Sequence, residues 1–508
     1  MDRIKLGWGR RETSIDEPVN ITGQMYLRIS EGVHDPLYVT ALAIDGGAGQ
    51  DPVIFLSCDL GSLPWDLVPD VKAAVEALQP EICGDWIIMN ATHTHAGSTP
   101  RKEQAVSPDG AYIYPNHKYH AFFLQMCAEA VAEAWNTRAE GGFAYGYGYA
   151  VVGHSRRVCY LRDMSETSKS NAPNGHCIMY GNTKNPDFSH YEGSGDHFLN
   201  ALYTFDKNEK LTGIIINVPC PSQVSEQLRM LSADYWGDVR ELAAREFGPH
   251  VYILPQCAPA GDLSPRILHY LDAQARRMGL KFNMPYDAEL AKKRDPIHDN
   301  TKRFAERKDI AERILASVTE IYGWARKEII TAAPVRHRCW QQTMQRRYIT
   351  DEELEACRKK LAELEANIPD PNTDPERYRV AKSSYDSYLR RNQSILERYE
   401  KQKENLPEPA YETHAVAIGD VAFATNKFEL YQDFMHRVQA RSPFIQTFVM
   451  QLTGNGAGTY LATERSQKNK GYGASMYCNW VGFEGGQQWV EGVLACLQEM
   501  KTEMENEQ

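Results

Sequence analysis

Short apolar runs, each followed at once by residues able to do chemistry, constrain this chain more than any other feature. Val53-Ile54-Phe55-Leu56-Ser57-Cys58 is almost unbroken, and so are Trp86-Ile87-Ile88-Met89 and Val251-Tyr252-Ile253-Leu254. Runs of this length without polar alternation predict strands covered on both faces. Between the first two, Val71, Ala74, Val75 and Leu78 repeat at helical spacing over 70–78. Strand–helix–strand order predicts a parallel α/β core. Ligands in such folds collect beyond the carboxyl ends of the strands.

Further strands are predicted over 38–44, 201–205, 211–218, 415–418, 421–424 and 447–452, and helices over 235–246 and 487–500. Residues 142–153 are rich in Gly and Tyr, and residues 156–196 read as a long irregular polar loop. Residues 287–330 read as helical and charged. Thr350 and Glu353 form a capping-box pattern, and Leu354, Cys357, Leu361 and Leu364 share a face. A Pro-containing break at 367–371 follows, and Tyr378, Tyr385, Leu389, Leu396 and Tyr399 resume the pattern. This predicts a helical hairpin over 350–404. We expect an α/β catalytic domain from 1–286 and 411–508, with 287–410 as a helical insertion. The hairpin reads as a structural arm or a homo-oligomer contact, and alternatively as a lid.

The net charge of −11 argues against a nucleic-acid surface. No apolar leader opens the sequence, no run is long enough to span a membrane, and eleven cysteines occur without CxxC pairs. We therefore expect a cytoplasmic protein with reduced thiols and no membrane anchor, acting on a small-molecule substrate.

The chemistry-bearing residues follow the strands. His93-Thr94-His95 directly follows the run at 86–89. In extended chain, residues two apart face one side, so both imidazoles can meet one metal, or one binds while the other moves protons. The plainer alternative is a pair of hydrogen-bonded loop histidines. Gly261-Asp262-Leu263-Ser264-Pro265 offers a carboxylate and a hydroxyl, or simply caps the next helix. Glu429 follows the strand at 421–424 and is a candidate ligand or base, or a structural carboxylate. Cys220, between Pro219 and Pro221, is a candidate zinc thiolate or an inert buried thiol. Gly454-Asn455-Gly456-Ala457-Gly458-Thr459-Tyr460 resembles a phosphate loop only superficially, since no Lys-Ser/Thr pair follows.

Several of these segments are similar to neutral ceramidases. Ala91-Thr92-His93-Thr94-His95-Ala96-Gly97 resembles their ATHTHSG segment, and Gly261-Asp262-Leu263-Ser264-Pro265 their GDVSP segment. Phe428-Glu429, Tyr460-Leu461-Ala462-Thr463 and Tyr472 match in the same order. The resemblance runs from Val33-His34-Asp35-Pro36-Leu37 to about Tyr472. It implies layered mixed β-sheets flanked by helices, and a zinc ion (another divalent metal being the alternative) held by His93, Glu429 and Tyr460. The family's second histidine ligand falls at Cys220, which implies a thiolate in its place. A thiolate donates more charge than imidazole and makes the metal a weaker Lewis acid. The remaining implied site residues are His95, Ser264, Tyr472 and Arg156, with Asp262 and Asn455 as substrate-binding residues.

These features predict metal-assisted hydrolysis of an amide or ester bond in a soluble molecule other than ceramide. His95 is expected to act as acid or base, Tyr472 to stabilise the oxyanion and Arg156 to orient a polar group. Ser264 is expected to hydrogen-bond near the attacking water. Two alternatives stand beside this: a glycosidase or deacetylase on the same metal site, and a non-catalytic binding protein with a degenerate site.

Overall fold

The computed structural model describes residues 2–167, 174–283 and 301–506. Two β-sheets lie face to face with helices outside both. The larger has eight strands in the order Tyr252–Cys257, Leu211–Val218, Phe198–Asp206, Ala139–Tyr149, Lys5–Glu12, Tyr38–Asp45, Val53–Cys58 and Ile87–Ala91. Its two outermost pairings, Leu211–Val218 with Tyr252–Cys257 and Val53–Cys58 with Ile87–Ala91, are parallel; the pairings between them are antiparallel. The smaller sheet runs Val335–Thr343, Ala410–Ile418, Val421–Thr425 and Gln446–Met450, its last pair parallel.

Strands buried on both faces explain the unbroken apolar runs. Phe55, Ile88, Ile215 and Leu254 of the large sheet pack on Val335, Val416, Phe423 and Phe448 of the small one. The opposite face of the large sheet is covered by helices Leu67–Leu78, Asn116–Asn136, Tyr235–Phe247 and Thr301–Ala325. Helices Gln432–Arg441 and Phe483–Asn506 cover the far face of the small sheet. The layers are thus helix, sheet, sheet, helix.

Glycine sets the helix-to-sheet spacing. A Cβ on Gly9 would lie 2.1 Å from the Ala130 carbonyl oxygen, and one on Gly146 would lie 2.2 Å from the Trp324 ring. The Gly- and Tyr-rich segment is therefore a strand as far as Tyr149, and its small residues admit the helix Thr301–Ala325.

Two expectations change. Residues 287–410 do not form one helical insertion. The helix Thr301–Ala325 packs into the core under the large sheet, and Val335–Thr343 pairs along its whole length with Ala410–Ile418. Residues 287–300 lie outside the described residues. Only the hairpin, Asp351–Glu365 and Pro375–Lys401, stands apart from the sheets, and the Thr350 capping box is formed. Residues 156–196 are not simply a loop either. Arg157–Tyr160, Cys177–Met179 and Phe188–Tyr191 make a small sheet over Val158, Tyr160 and Met164, enough apolar surface to close a local core.

The longer hairpin helix is fastened to the body by polar contacts. Arg379 meets Asp109 at 3.0 Å, and the Leu27 amide donates to Ser383 Oγ at 2.9 Å. Among the described residues no helix is long and apolar enough to cross a membrane. Because Gly9 has no room for a side chain, Gly9→Val should cost about 1–3 kcal/mol or more, read as a lowered urea midpoint with an unchanged slope.

Candidate active site

The ends of strands from both sheets meet at one cleft of about 900 Å³. His93 arrives just past the strand Ile87–Ala91, with φ of 66°, so the chain turns there instead of continuing extended. Backbone and side-chain hydrogen bonds pin the turn: Thr92 N donates to Cys58 O, His95 N to Ser222 O, and Thr94 Oγ1 to Ser232 O. The two imidazoles meet edge to face with centroids 4.9 Å apart. Their closeness comes from this turn rather than from strand alternation.

His93 Nδ1 lies 2.6 Å from the Gly61 carbonyl oxygen, which can only accept. Nδ1 therefore carries the proton, and in the neutral ring Nε2 presents its lone pair to Glu429 Oε2 at 3.4 Å. Two lone pairs facing one another call for a proton or a cation between them. Glu429 is placed by parallel pairing of Glu429-Leu430 with Tyr460-Leu461, and its amide donates to Thr459 O at 2.7 Å. Burial alone would raise its carboxyl; His93, Arg156 and the Tyr460 hydroxyl outweigh that and hold it below the ordinary glutamate value. Burial, reinforced by Glu429, pushes the Tyr460 phenol well up.

Arg156 is buried beside them. Its Nη1 donates to Tyr180 Oη at 3.0 Å, and its Nη2 to Gly261 O at 2.9 Å and Tyr460 Oη at 3.3 Å. The same nitrogen lies 3.6 Å from Glu429 Oε2. Tyr472 stands edge-on to Tyr460 at 5.8 Å between centroids and also lines the cleft. His95 is half-buried, and its Nδ1 has no hydrogen-bond partner among the described residues. Burial, then His93, Arg28, Arg156 and Arg266, hold its pKa well below the ordinary histidine value, so the ring is neutral near pH 7.

The structure thus brings together His93, His95, Arg156, Glu429, Tyr460 and Tyr472. It does not bring Cys220 to them. The Cys220 thiol points at the Val152 carbonyl, 3.4 Å away, outside the cleft lining. Burial, with Cys257 and Asp234 nearby, raises its pKa well above the ordinary value, which keeps it a thiol. The prolines flanking it fix a backbone that turns the side chain inward. Ser264, Asp262 and Asn455 also lie outside the lining. Ser264 Oγ accepts from Arg266 N, and the Asp262 carboxylate accepts from the amide and side chain of Gln432. Burial pushes the Asp262 carboxyl up to about 6. The glycine–aspartate segment works from beneath. Gly261 O and Asp262 O hold Arg156, and a Cβ on Gly261 would lie 2.4 Å from Glu429 O, so only glycine lets the two segments touch.

Sequence reasoning passed over Glu226, Gln223 and Tyr180. Glu226 Oε2 lies 3.8 Å from His95 Nδ1 and its carboxylate also pairs with Arg266. Gln223 donates to Tyr180 Oη at 2.5 Å. Gln223 and Glu226 follow Cys220 by three and six residues, so the segment was in view while its cysteine drew the attention. Tyr180 gave no signal, because its segment read as a loop.

No protein-family model matches this sequence, and no curated protein matches it. Solved structures do. The crystal structure of neutral ceramidase from Pseudomonas aeruginosa superposes with a TM-score of 0.63 at 16% identity, covering 98% of this chain and 75% of that one. A ceramidase complexed with C2 gives 0.62 at 15% identity, covering 98% and 76%. This chain has the neutral ceramidase fold.

Outside the cleft, two groups of side chains converge within ligating distance of each other: Cys159, Cys177 and Glu192, and Cys339, Glu412 and His414. Glu192 is already engaged by Arg157, Ser466 and Asn469. Its pair with Arg157 braces the strand that follows Arg156. Burial alone would raise the Glu192 carboxyl, and these donors outweigh it and hold it below the ordinary value. Glu192→Ala leaves the buried Arg157 without a counter-ion and should cost about 3–5 kcal/mol at pH 7 by chemical denaturation. The folded pKa lies below the unfolded one, so this contribution is complete above about pH 4.5. The stability gap between the two proteins should narrow as pH falls through the depressed folded value.

Proposed function

We propose that this chain is a zinc-dependent hydrolase of an amide or ester bond in a small molecule. The observation that carries this reading is the facing of His93 Nε2 and Glu429 Oε2 at 3.4 Å, with Tyr460 beside them and a neutral histidine next to the pair. A nitrogen donor, a carboxylate and a phenol suit zinc, and three protein ligands leave a position open, as catalytic zinc sites require. The Gly61 carbonyl on His93 Nδ1 supplies the outer hydrogen bond that fixes a ligating imidazole. Held by these residues, zinc would polarise a carbonyl oxygen and make water acidic enough to ionise near neutrality. Cys220 is not needed to complete this set.

The chain's own groups do the rest. His95, uncharged and half-buried beside His93, accepts the proton of an attacking water and returns it to the leaving nitrogen or oxygen. Glu226, 3.8 Å from His95 Nδ1, is placed to stabilise that ring when it carries the proton. Tyr472 offers its hydroxyl to the developing oxyanion. Arg156 keeps Tyr460 and Glu429 in place and lends positive charge to the same region. The neutral ceramidases that share the fold support a reading of amide cleavage. The cysteines, all eleven free, support a reducing compartment such as the cytoplasm.

The test is elemental analysis combined with hydrolysis of N-acyl p-nitroanilides and p-nitrophenyl esters. His93→Ala and Glu429→Gln should each lose one equivalent of bound zinc and at least 100-fold in rate, and chelator should reproduce the loss. His95→Gln should keep the metal and lower kcat by about 10²–10⁴. Cys220→Ser should keep both metal and rate. Absence of a His93-dependent equivalent of metal, after zinc addition, overturns the proposal.

A further inference from the structure

A second cavity, of about 480 Å³, lies across the glycine loop from the cleft, and Thr459 lines both. One short segment serves the two. Lys427 O accepts from Gly458 N at 3.0 Å, and Glu429 N donates to Thr459 O at 2.7 Å. Glu429 faces the cleft, while Lys427, two residues earlier, lines the second cavity. Their Cα atoms are thus no more than about 7 Å apart.

Lys427 is 6% exposed. Its ammonium lies 4.4 Å from the centroids of Trp65 and Tyr411 and 5.7 Å from that of Phe428. No carboxylate among the described residues forms an ion pair with it. A buried ammonium without a counter-ion is costly, and aromatic faces return only part of that cost. Two more cations line the cavity from the hairpin. Arg398 is held by the carbonyls of Met476 and Asn479 at 2.8 Å each rather than by a carboxylate, and Lys401 follows one turn later. Arg346 and Arg347 are satisfied by Glu408 and Glu353, and Glu397 is the one carboxylate in the lining. The rest of the wall mixes the polar Ser394, Gln402 and Thr459 with apolar residues, among them Leu406, Trp65 and Trp480, the last two being 68% and 46% exposed. Gly456 lets Trp65 lie on the loop, since a Cβ there would come within 2.5 Å of its ring.

We infer that this cavity is the subsite for an anionic group carried on an apolar body, and that it selects acidic substrates for the cleft beside it. A carboxylate, a sulfate or a phosphate monoester shares the required chemistry. The inference rests on the hydrolase reading for the word substrate, but the binding site stands on its own residues.

Calorimetric titration with octanoate, octyl sulfate, octyl phosphate and uncharged octanamide tests it, on the full chain with chelator present so that the metal site plays no part. We expect the anions to bind at least tenfold more tightly than octanamide. Lys427→Met should remove that preference at unchanged octanamide affinity, and the exposed Lys401→Glu should weaken anion binding by several-fold without touching the core. Comparison among the three anions names the preferred acid. Equal affinity for octanamide and the anions overturns the inference, and so does a preference that survives in both variants. If His93→Ala binds the anions normally and no hydrolysis is found in any protein, the hydrolase reading falls while the anion site remains.

Discussion

The contact between the two sheets governs everything at the cleft. Phe55 meets Phe423 at 4.8 Å between centroids, and Phe423 meets Phe448 at 4.6 Å. These rings sit on strands that lead, within a few residues, to the polar ends that line the cleft. Beyond the rings, apolar packing gives way to hydrogen bonds that cross between the sheets. Ala91 N donates to Leu452 O, Gln451 N to Cys257 O, and Asn217 Nδ2 to Val449 O. The aromatic layer supplies the free energy and the polar seam supplies the register. His93 and Glu429 come from different sheets, so their 3.4 Å approach is a property of this interface and not of either sheet alone.

Charge is managed by burial as much as by pairing. Arg156, Arg157 and Arg28 are all at most 4% exposed, and each is held by carbonyls, hydroxyls or carboxylates in different proportion. Arg157 has a full carboxylate partner and is structural. Arg156 shares Glu429 with His93, and its field falls on the cleft. Arg28 donates to the carbonyls of Thr22, Glu226, Leu228 and His95, tying the loop of His95 to that of Glu226. Desolvation lowers the His95 pKa first, and His93 and these same cations add to it.

Much of this was legible in the sequence. The unbroken apolar runs marked buried strands because nothing else tolerates such runs in a chain this polar elsewhere. His93, His95, Glu429, Tyr460 and Tyr472 stood directly after strand ends or in glycine-rich loops, and the structure puts all five on one cleft. What sequence could not give is the direction of a side chain in irregular backbone. Cys220, Ser264 and Asp262 hold the right positions along the chain and face elsewhere. Their neighbours explain this: Val152 draws the thiol inward, and Gln432 takes both oxygens of Asp262. Strand Val335–Thr343 was missed because its arginines and glutamines mask the alternation, although its pairing with Ala410–Ile418 is continuous.

The hairpin's footing has a further consequence. Its inner surface reaches the body through charged and polar side chains, while Cys357 and Ile395 enter the core beneath it and Leu361, Leu396 and Tyr399 pack against that core. The side chains of the cleft sit on the sandwich, and the hairpin contributes walls to the neighbouring cavity. Under the proposed function, a change of sequence in the hairpin would therefore reshape that neighbouring cavity without moving His93, Glu429 or Tyr460.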